Sequence, residues 1–269
     1  MSKGPRRQRP KPLSAERTED LSAWPEGVAR HVLDEVDSTN SEAQRIAPGL
    51  TQPTWILARR QTAARGRRGR AWISPRGNLA ATLVMRPGGE PAHAALRSFV
   101  AALALADALE TVAGPRATIS LKWPNDVLLN GGKVAGILLE SVGQGGGVSR
   151  LAVGIGVNLA EAPPREALEP GAAEPVSLLG ETGVRVEPEE FLTYLAAAFA
   201  KWEARFVTYG FHPIRTAWLG RAAKLGQTIT ARTAAEIVEG TFETVAEDGA
   251  LVIATARGRR NVPAADVYF

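Results

Sequence analysis

Chemistry is densest between Gln61 and Trp72, where Arg65, Arg67, Arg68 and Arg70 are interleaved with Gly66 and Gly69. Glycine lets backbone N–H groups approach a ligand, and arginine offers planar donor forks to carboxylate and phosphate. Taken alone, the run fits a solvated basic loop or a nucleic-acid patch as well as an anion clamp that closes over its ligand. Two lysines sharpen the second reading. Lys122 opens Lys-Trp-Pro-Asn-Asp, and Lys133 follows Gly131-Gly132 at the head of an apolar stretch. A lysine entering a buried strand must find an anion or snorkel back to water. Ser38, Thr39 and Asn40 are three consecutive small polar residues at a helix start. They suit N-capping, with Glu42 three after Thr39 as in a capping box, and they also suit donation to an anion or a ureido-type group. Gly154 and Gly156 alternate on one strand, leaving room for a flat group or for close packing.

The elements that must hold these residues are legible from hydrophobic period and turn chemistry. Strands are expected at 31–36, 55–58, 80–85, 119–122, 126–129, 133–140 and 151–159. A helix following Ser38 stops at Pro48-Gly49. Leu96, Phe99, Val100, Leu103, Leu109 and Val112 carry a helical period ending at Gly114-Pro115. Phe191, Leu195, Phe199, Trp202 and Phe206 mark a long amphipathic helix. Residues 161–174 read as a loop. Past Leu219-Gly220 the pattern becomes short strands (228–230, 237–240, 243–245, 251–253, 266–268) with turns at Glu247-Asp248-Gly249 and Arg257-Gly258, as in a small antiparallel barrel.

Composition narrows the classes. With 269 residues the chain can hold one large core and a small satellite unit. It has no cysteine, which removes disulfides, thiolate metal sites and cysteine nucleophiles. His31, His93 and His212 fall in no metal spacing. No apolar run is read as a membrane span, and a cytoplasmic location is expected. Five of the 32 basic residues lie within residues 1–12, where there is no acid; the other 27 nearly balance 28 acidic residues. The basic character therefore belongs to the first residues and not to the domain, which speaks against a nucleic-acid footprint. Residues 1–20 are expected to be disordered.

Together these stretches resemble the bacterial biotin protein ligases. The resemblance is carried in order by Asp37-Ser38-Thr39-Asn40, by Gln61 with Arg65 to Trp72, by Lys122-Trp123-Pro124-Asn125-Asp126, by Gly132 to Ile137 and by Gly154-Ile155-Gly156-Val157-Asn158. One departure is Ala64 where the family usually has glycine, expected to stiffen the loop. Another is the absence of an N-terminal DNA-binding domain, as in the non-repressor type.

The resemblance implies an α+β fold: a mixed sheet with helices on one side (about 21–218) and an SH3-like C-terminal barrel (219–269). It implies ATP-dependent attachment of biotin to a lysine of a biotin carboxyl carrier domain through biotinyl-5′-AMP, with Mg²⁺, by a monomer or homodimer that binds no specific DNA and no membrane. Lys133, Arg65 and Lys122 become the catalytic cations. Ser38, Thr39, Asn40, Gln61, Arg65, Gly66, Arg67, Lys133 and Gly136 become the biotin site. Arg67, Arg68, Arg70, Trp72, Lys122, Asn125 and Asn158 become the ATP and adenylate site, and Asp126 a metal contact. A lipoate or octanoyl transferase shares the fold but is not expected to combine the arginine run with Lys-Trp-Pro-Asn-Asp. The physical need is plain: two unit charges 4 Å apart repel by about 4 kcal/mol at an effective dielectric near 20, so a carboxylate meets a triphosphate only among fixed cations.

Overall fold

The computed structural model describes residues 21–115, 117–142, 149–164, 173–233 and 235–268. The expected disorder of residues 1–20 lies outside these, as does most of the expected 161–174 loop. A seven-stranded mixed sheet is built from β1 (Ala29–Leu33), β2 (Thr54–Ala58), β3 (Leu79–Met85), β4 (Ile119–Lys122), β5 (Asp126–Leu129), β6 (Gly132–Val142) and β7 (Arg150–Val157). Its order is β1-β2-β3-β7-β6-β5-β4. Only the β1–β2 pair is parallel among these ladders. β1 lies at the edge with three exposed central residues, and it overlaps the expected 31–36 span only at its last three residues, starting earlier and stopping short of residue 36.

Alternation assigns the two faces of the sheet. Leu79, Ala81, Leu83 and Met85 of β3, with Leu151, Val153, Ile155 and Val157 of β7, face the main core. That core is completed by α3 (Arg97–Ala113) and α5 (Pro188–Tyr209), with Phe191, Leu195, Phe199, Trp202 and Phe206 all buried as their period requires. The short α2 (Pro91–Ala95) leads directly into α3. The span Pro91–Ala113 is long and apolar enough to cross a membrane by length and composition, which corrects the expectation that no such run exists; 72% of its 18-residue apolar window is buried inside the protein. It is the central helix of the core.

The opposite face carries Thr82 and Val84 of β3, Ala152, Gly154 and Gly156 of β7, and Gly136, Leu138 and Glu140 of β6, which pair across the β6–β7 ladder. Against one end of this face lies the short α1 (Thr39–Ile46), through Ala43 and a small cluster with Ile56 and Val84. The expected helical layer on one side is thus α3 and α5, while α1 is, among the described residues, the α-helix across the sheet and leaves a cleft beside it on that face. The capping box does not form: Ser38 is the N-cap and its side chain makes no cap bond, while Glu42 pairs instead with Arg45 at 2.7 Å.

After α4 (Leu178–Thr182), α5 and α6 (Phe211–Leu219), a second sheet of order β11-β10-β9-β8-β12 comprises β8 (Thr228–Arg232), β9 (Ile237–Val245), β10 (Leu251–Thr255), β11 (Gly258–Val262) and β12 (Asp266–Tyr268). Two expected pieces, 237–240 and 243–245, are one strand. β11 was not expected because Arg259, Arg260 and Asn261 mask it; those arginines pair with Glu243 and Glu236 on the sheet surface. This unit shares the main core: Phe99 stacks edge-on against Phe211 and Trp218, Trp218 in turn meets Phe242, and Trp123 Nε1 donates to Gly249 O at 3.0 Å. These contacts swing β12 back to the open face of the large sheet.

Candidate active site

A cleft of about 390 Å³ lies on that open face, walled by α1, the arginine segment, the β4–β5 corner, β6, β7 and the tip of β12. Of the sequence-predicted residues, Ser38, Thr39, Asn40, Gln61, Arg65, Gly66, Arg67, Arg70, Trp72, Lys122, Asn125, Asp126, Lys133, Gly136 and Asn158 all line it; Arg68 does not.

One end is a nearly neutral polar relay. The Thr39 backbone N–H donates to Gln61 Oε1 at 2.7 Å. Thr82 Oγ1 lies 2.8 Å from Thr39 Oγ1 and 2.7 Å from Asn40 Oδ1. Asn40 Nδ2 donates to Glu140 Oε2 at 2.7 Å, and Arg65 closes the line with an ion pair to Glu140 at 3.1 Å and a bond to Ser41 Oγ at 2.8 Å. A methyl at Gly154 would stand 2.2 Å from Asn40 Oδ1, so this glycine makes room for the amide.

The other end is cationic. The arginine segment is a closed hairpin, not an open loop: Gly66 N–H donates to Arg70 O at 2.7 Å, Trp72 N–H to Ala64 O at 3.0 Å, and Arg65 bridges Ala71. Its tip needs left-handed backbone at Arg68 (φ 56°) and Gly69 (φ 72°). Ala64 has no positive φ, so the methyl there sits without backbone strain. Arg68 and Arg70 reach across to Asp266 of β12 at 2.7 and 2.8 Å. Burial alone would raise the Asp266 carboxyl, but Arg70, Arg68 and Arg67 outweigh it and hold it below its ordinary range. Arg67 points inward, 3.4 Å from both Asn125 Oδ1 and Ala265 O. Burial lowers the Arg67 and Lys122 pKa values against the pull of Asp266 and Asp126. Lys133 pairs with Asp126 at 2.7 Å. Trp72 lies flat over the glycines, since methyls at Gly156 and Gly136 would come within 2.6 and 3.3 Å of its ring, and Lys133 Nζ is 5.6 Å from the ring centre. Asn158 donates to Val176 O at 3.0 Å, while its Oδ1 is buried with no hydrogen-bond partner among the described residues.

Thr82, Glu140, Asp266 and Tyr268 belong to the site but were not among the predicted residues. Thr82 and Glu140 could have been found as polar residues within otherwise apolar strands, on the face opposite the main core. Asp266 carried no local signal, because it meets Arg68 across 198 positions.

The arrangement can seat an anion flanked by Arg67, Lys122 and Lys133 and a compact neutral polar group at the relay, with an apolar stretch of β6 between. Mg²⁺ is commonly held by one or two carboxylates together with substrate phosphates. Among the described residues no group of three His, Cys, Asp or Glu side chains is placed to hold a metal. Asp126 could offer one oxygen, in competition with Lys133.

Comparison with known proteins agrees with this geometry. Residues 32–158 match the biotin/lipoate A/B protein ligase family, and 224–269 match the biotin protein ligase C-terminal domain. The chain is 60% identical to a biotin–[acetyl-CoA-carboxylase] ligase of Paracoccus denitrificans over 88% of its own length and 99% of that protein. It is 30% identical to the bifunctional ligase/repressor of Bacillus subtilis over 90% of its length and 75% of that protein. The biotin protein ligase of Aquifex aeolicus in complex with biotin and ATP superposes with a TM-score of 0.76 at 26% identity, covering 89% of this chain and 98% of that one. With the two matched regions in order and a relative this similar along its whole length, the chain belongs to the biotin protein ligases.

Proposed function

We propose that this protein attaches biotin to a specific lysine of a biotin carboxyl carrier domain of acetyl-CoA carboxylase, in the cytoplasm. A biotin carboxylate oxygen attacks the α-phosphorus of ATP; the bond to the β-phosphate bridging oxygen breaks, pyrophosphate leaves and biotinyl-5′-AMP forms. The carrier lysine amine then attacks the acyl carbon, gives up a proton, and AMP departs. The observation that carries the reading is the two-ended cleft: a fixed hydrogen-bond relay at one end and a cluster of desolvated cations at the other.

The placement of the cleft residues supports the following roles. Ser38, Thr39, Asn40 and Gln61 hold the ureido ring. Lys133, steered by Asp126, sits where the carboxylate meets the α-phosphate. Arg67 and Lys122 meet the phosphates, acting where charge builds in the transition state. Trp72 offers a flat face to adenine, and the unsatisfied Asn158 oxygen suits an amino group. Mg²⁺, arriving with the triphosphate, would neutralise its charge, with Asp126 as its protein contact. No side chain need act as a nucleophile. Residues 21–218 form the catalytic unit and 219–269 the barrel that supplies one wall through Asp266.

The test is incubation with Mg-ATP, biotin and a carrier domain, weighing the carrier by mass spectrometry, with lipoate as a competing substrate. Addition of one biotinyl group to one lysine is expected. Lys133→Ala should abolish pyrophosphate release. Lipoyl transfer, or pyrophosphate release from Lys133→Ala within twofold of wild type, would overturn the assignment.

A further inference from the structure

β12 and the residue before it meet three of the four arginines of the hairpin. Arg68 Nη1 and Arg70 Nη2 both donate to one oxygen, Asp266 Oδ2, at 2.7 and 2.8 Å, and Arg67 faces Ala265 O at 3.4 Å. Asp266 is itself well fixed. Its strand is paired to β8 from Asp266 to Tyr268, its neighbours Ala265 and Val267 are buried in the core, and its side chain is 14% exposed.

The hairpin has few means of its own to stay closed. Its cross-strand bonds run from Gly66 N–H to Arg70 O and from Trp72 N–H to Ala64 O, and a two-stranded ribbon this short is marginal in water. Its tip also holds Arg68 in a left-handed backbone, φ 56°, which a residue with a Cβ adopts at a cost. Two guanidinium groups that converge on one point repel each other. The Asp266 carboxylate turns that repulsion into a bridge and ties the tip to the barrel.

We propose that Asp266 is a positioning residue: by holding Arg68 and Arg70 against the barrel it keeps the hairpin closed with Arg67 in the cleft, so that the C-terminal unit sets how long the adenylate is retained. The proposal rests on the reading of the cleft as the adenylate site. When the tip swings out, Arg67 leaves Asn125 and the phosphate loses one of its flanking cations.

Two readouts on the full chain test this, one of them independent of the reaction. Trypsin cleaves after arginine, and a closed hairpin is cut when it opens, so the rate of cutting after Arg67 reports the open population. Retention is read as the rate at which enzyme loaded with radiolabelled biotin and Mg-ATP loses labelled adenylate during a chase, followed by gel filtration. Asp266→Ala is expected to raise both rates roughly three- to tenfold, within what two such pairs allow, with cutting elsewhere unchanged. In an Arg68→Gln/Arg70→Gln background, where both rates are already raised, adding Asp266→Ala is expected to change neither further. A carboxylate that merely packed β12 would act alike in both backgrounds. Asp266→Asn, nearly isosteric, carries the test if Asp266→Ala does not fold. Equal rates in wild type and variant, an undiminished effect in the glutamine background, or cutting that rises across the barrel as much as after Arg67 overturns the proposal. A wild type that forms no biotinyl-5′-AMP overturns the functional reading instead, and the trypsin comparison then still decides whether Asp266 holds the hairpin.

Discussion

Gly154 and Gly156 lie two residues apart on the same face of β7, and a single methyl at each should damage different halves of the reaction. At Gly156 the methyl carbon would stand 2.6 Å from Cε2 and Nε1 of Trp72. Carbon–carbon contacts rest near 3.5–4.0 Å, so the indole must lift off the sheet by about 1 Å. Trp72 is half-buried on the hairpin and can move without disturbing the core. A misplacement of about 1 Å at a reacting centre costs on the order of 10²-fold, or roughly 2.7 kcal/mol of barrier. Gly156→Ala is therefore expected to lower kcat/KM for ATP about a hundredfold while biotin binding measured without ATP stays near wild type. At Gly154 the methyl would stand 2.2 Å from Asn40 Oδ1. Asn40 is 3% exposed and held by Thr82 and Glu140, so it cannot step aside. Breaking one or two buried hydrogen bonds costs about 1–3 kcal/mol each. Gly154→Ala is expected to weaken biotin by one to two decades and to lower the melting temperature. Calorimetric titration with biotin alone and pyrophosphate exchange with ATP varied at saturating biotin separate the two. If Gly156→Ala weakens biotin and spares ATP, or both variants fail alike, the division of the cleft is wrong.

Three other perturbations test the remaining framework. Burial lowers the Lys122 pKa below its ordinary value of 10.5, so the alkaline limb of kcat/KM for ATP should lie below that pH, and Lys122→Arg, where active, should lose it. The sign for stability is opposite: between the folded and the ordinary pKa the unfolded chain binds more protons, so this group adds stability as pH climbs through that limb while activity falls. On the far side of the sheet, Arg97 is 1% exposed and bonds Glu203 at 2.7 Å, so Glu203→Ala leaves a buried charge uncompensated, at about 3–5 kcal/mol and a melting-temperature loss on the order of 10 °C, with kcat unchanged at low temperature. Asp266→Ala removes the carboxylate that Arg68 and Arg70 share, pairs whose exposure limits each to about 0.2–1 kcal/mol, and is expected to raise stray biotinylation of added serum albumin severalfold; albumin as clean as with wild type would show that this contact does not retain the adenylate.

The parts of this molecule that were legible in its sequence are those whose cause is local. Strand and helix periods, the Gly131-Gly132 turn and the arginine–glycine run each depend on neighbours a few residues away, and in the large sheet all but β1, which is displaced toward the N-terminus, are found near where their spacing placed them. The capping box was misread because Ser38, not Thr39, precedes the helix, and the Thr39 hydroxyl is engaged by Thr82 of β3 and by Gln61 instead. β11 was missed because its arginines are paired across the strand with Glu243 and Glu236, which makes a charged strand stable where the pattern rule expects a turn.

What was illegible is the set of carboxylates, and these decide what each cation does. Glu140 engages Arg65 from 75 positions away, and Asp266 engages Arg68 and Arg70 from nearly 200. An arginine already held by a carboxylate has most of its charge spoken for and serves as a strut. Arg67 and Lys122 differ: for both, burial outweighs the neighbouring acids and pushes the pKa down. The fold thus keeps two cations under-compensated in one desolvated place, a destabilising arrangement that an incoming polyphosphate reverses. By linkage, a ligand that compensates their charge gains from relieving this arrangement, and the four arginines that look equivalent in the sequence divide into three paired with carboxylates and Arg67, the one that meets the substrate under the proposed function.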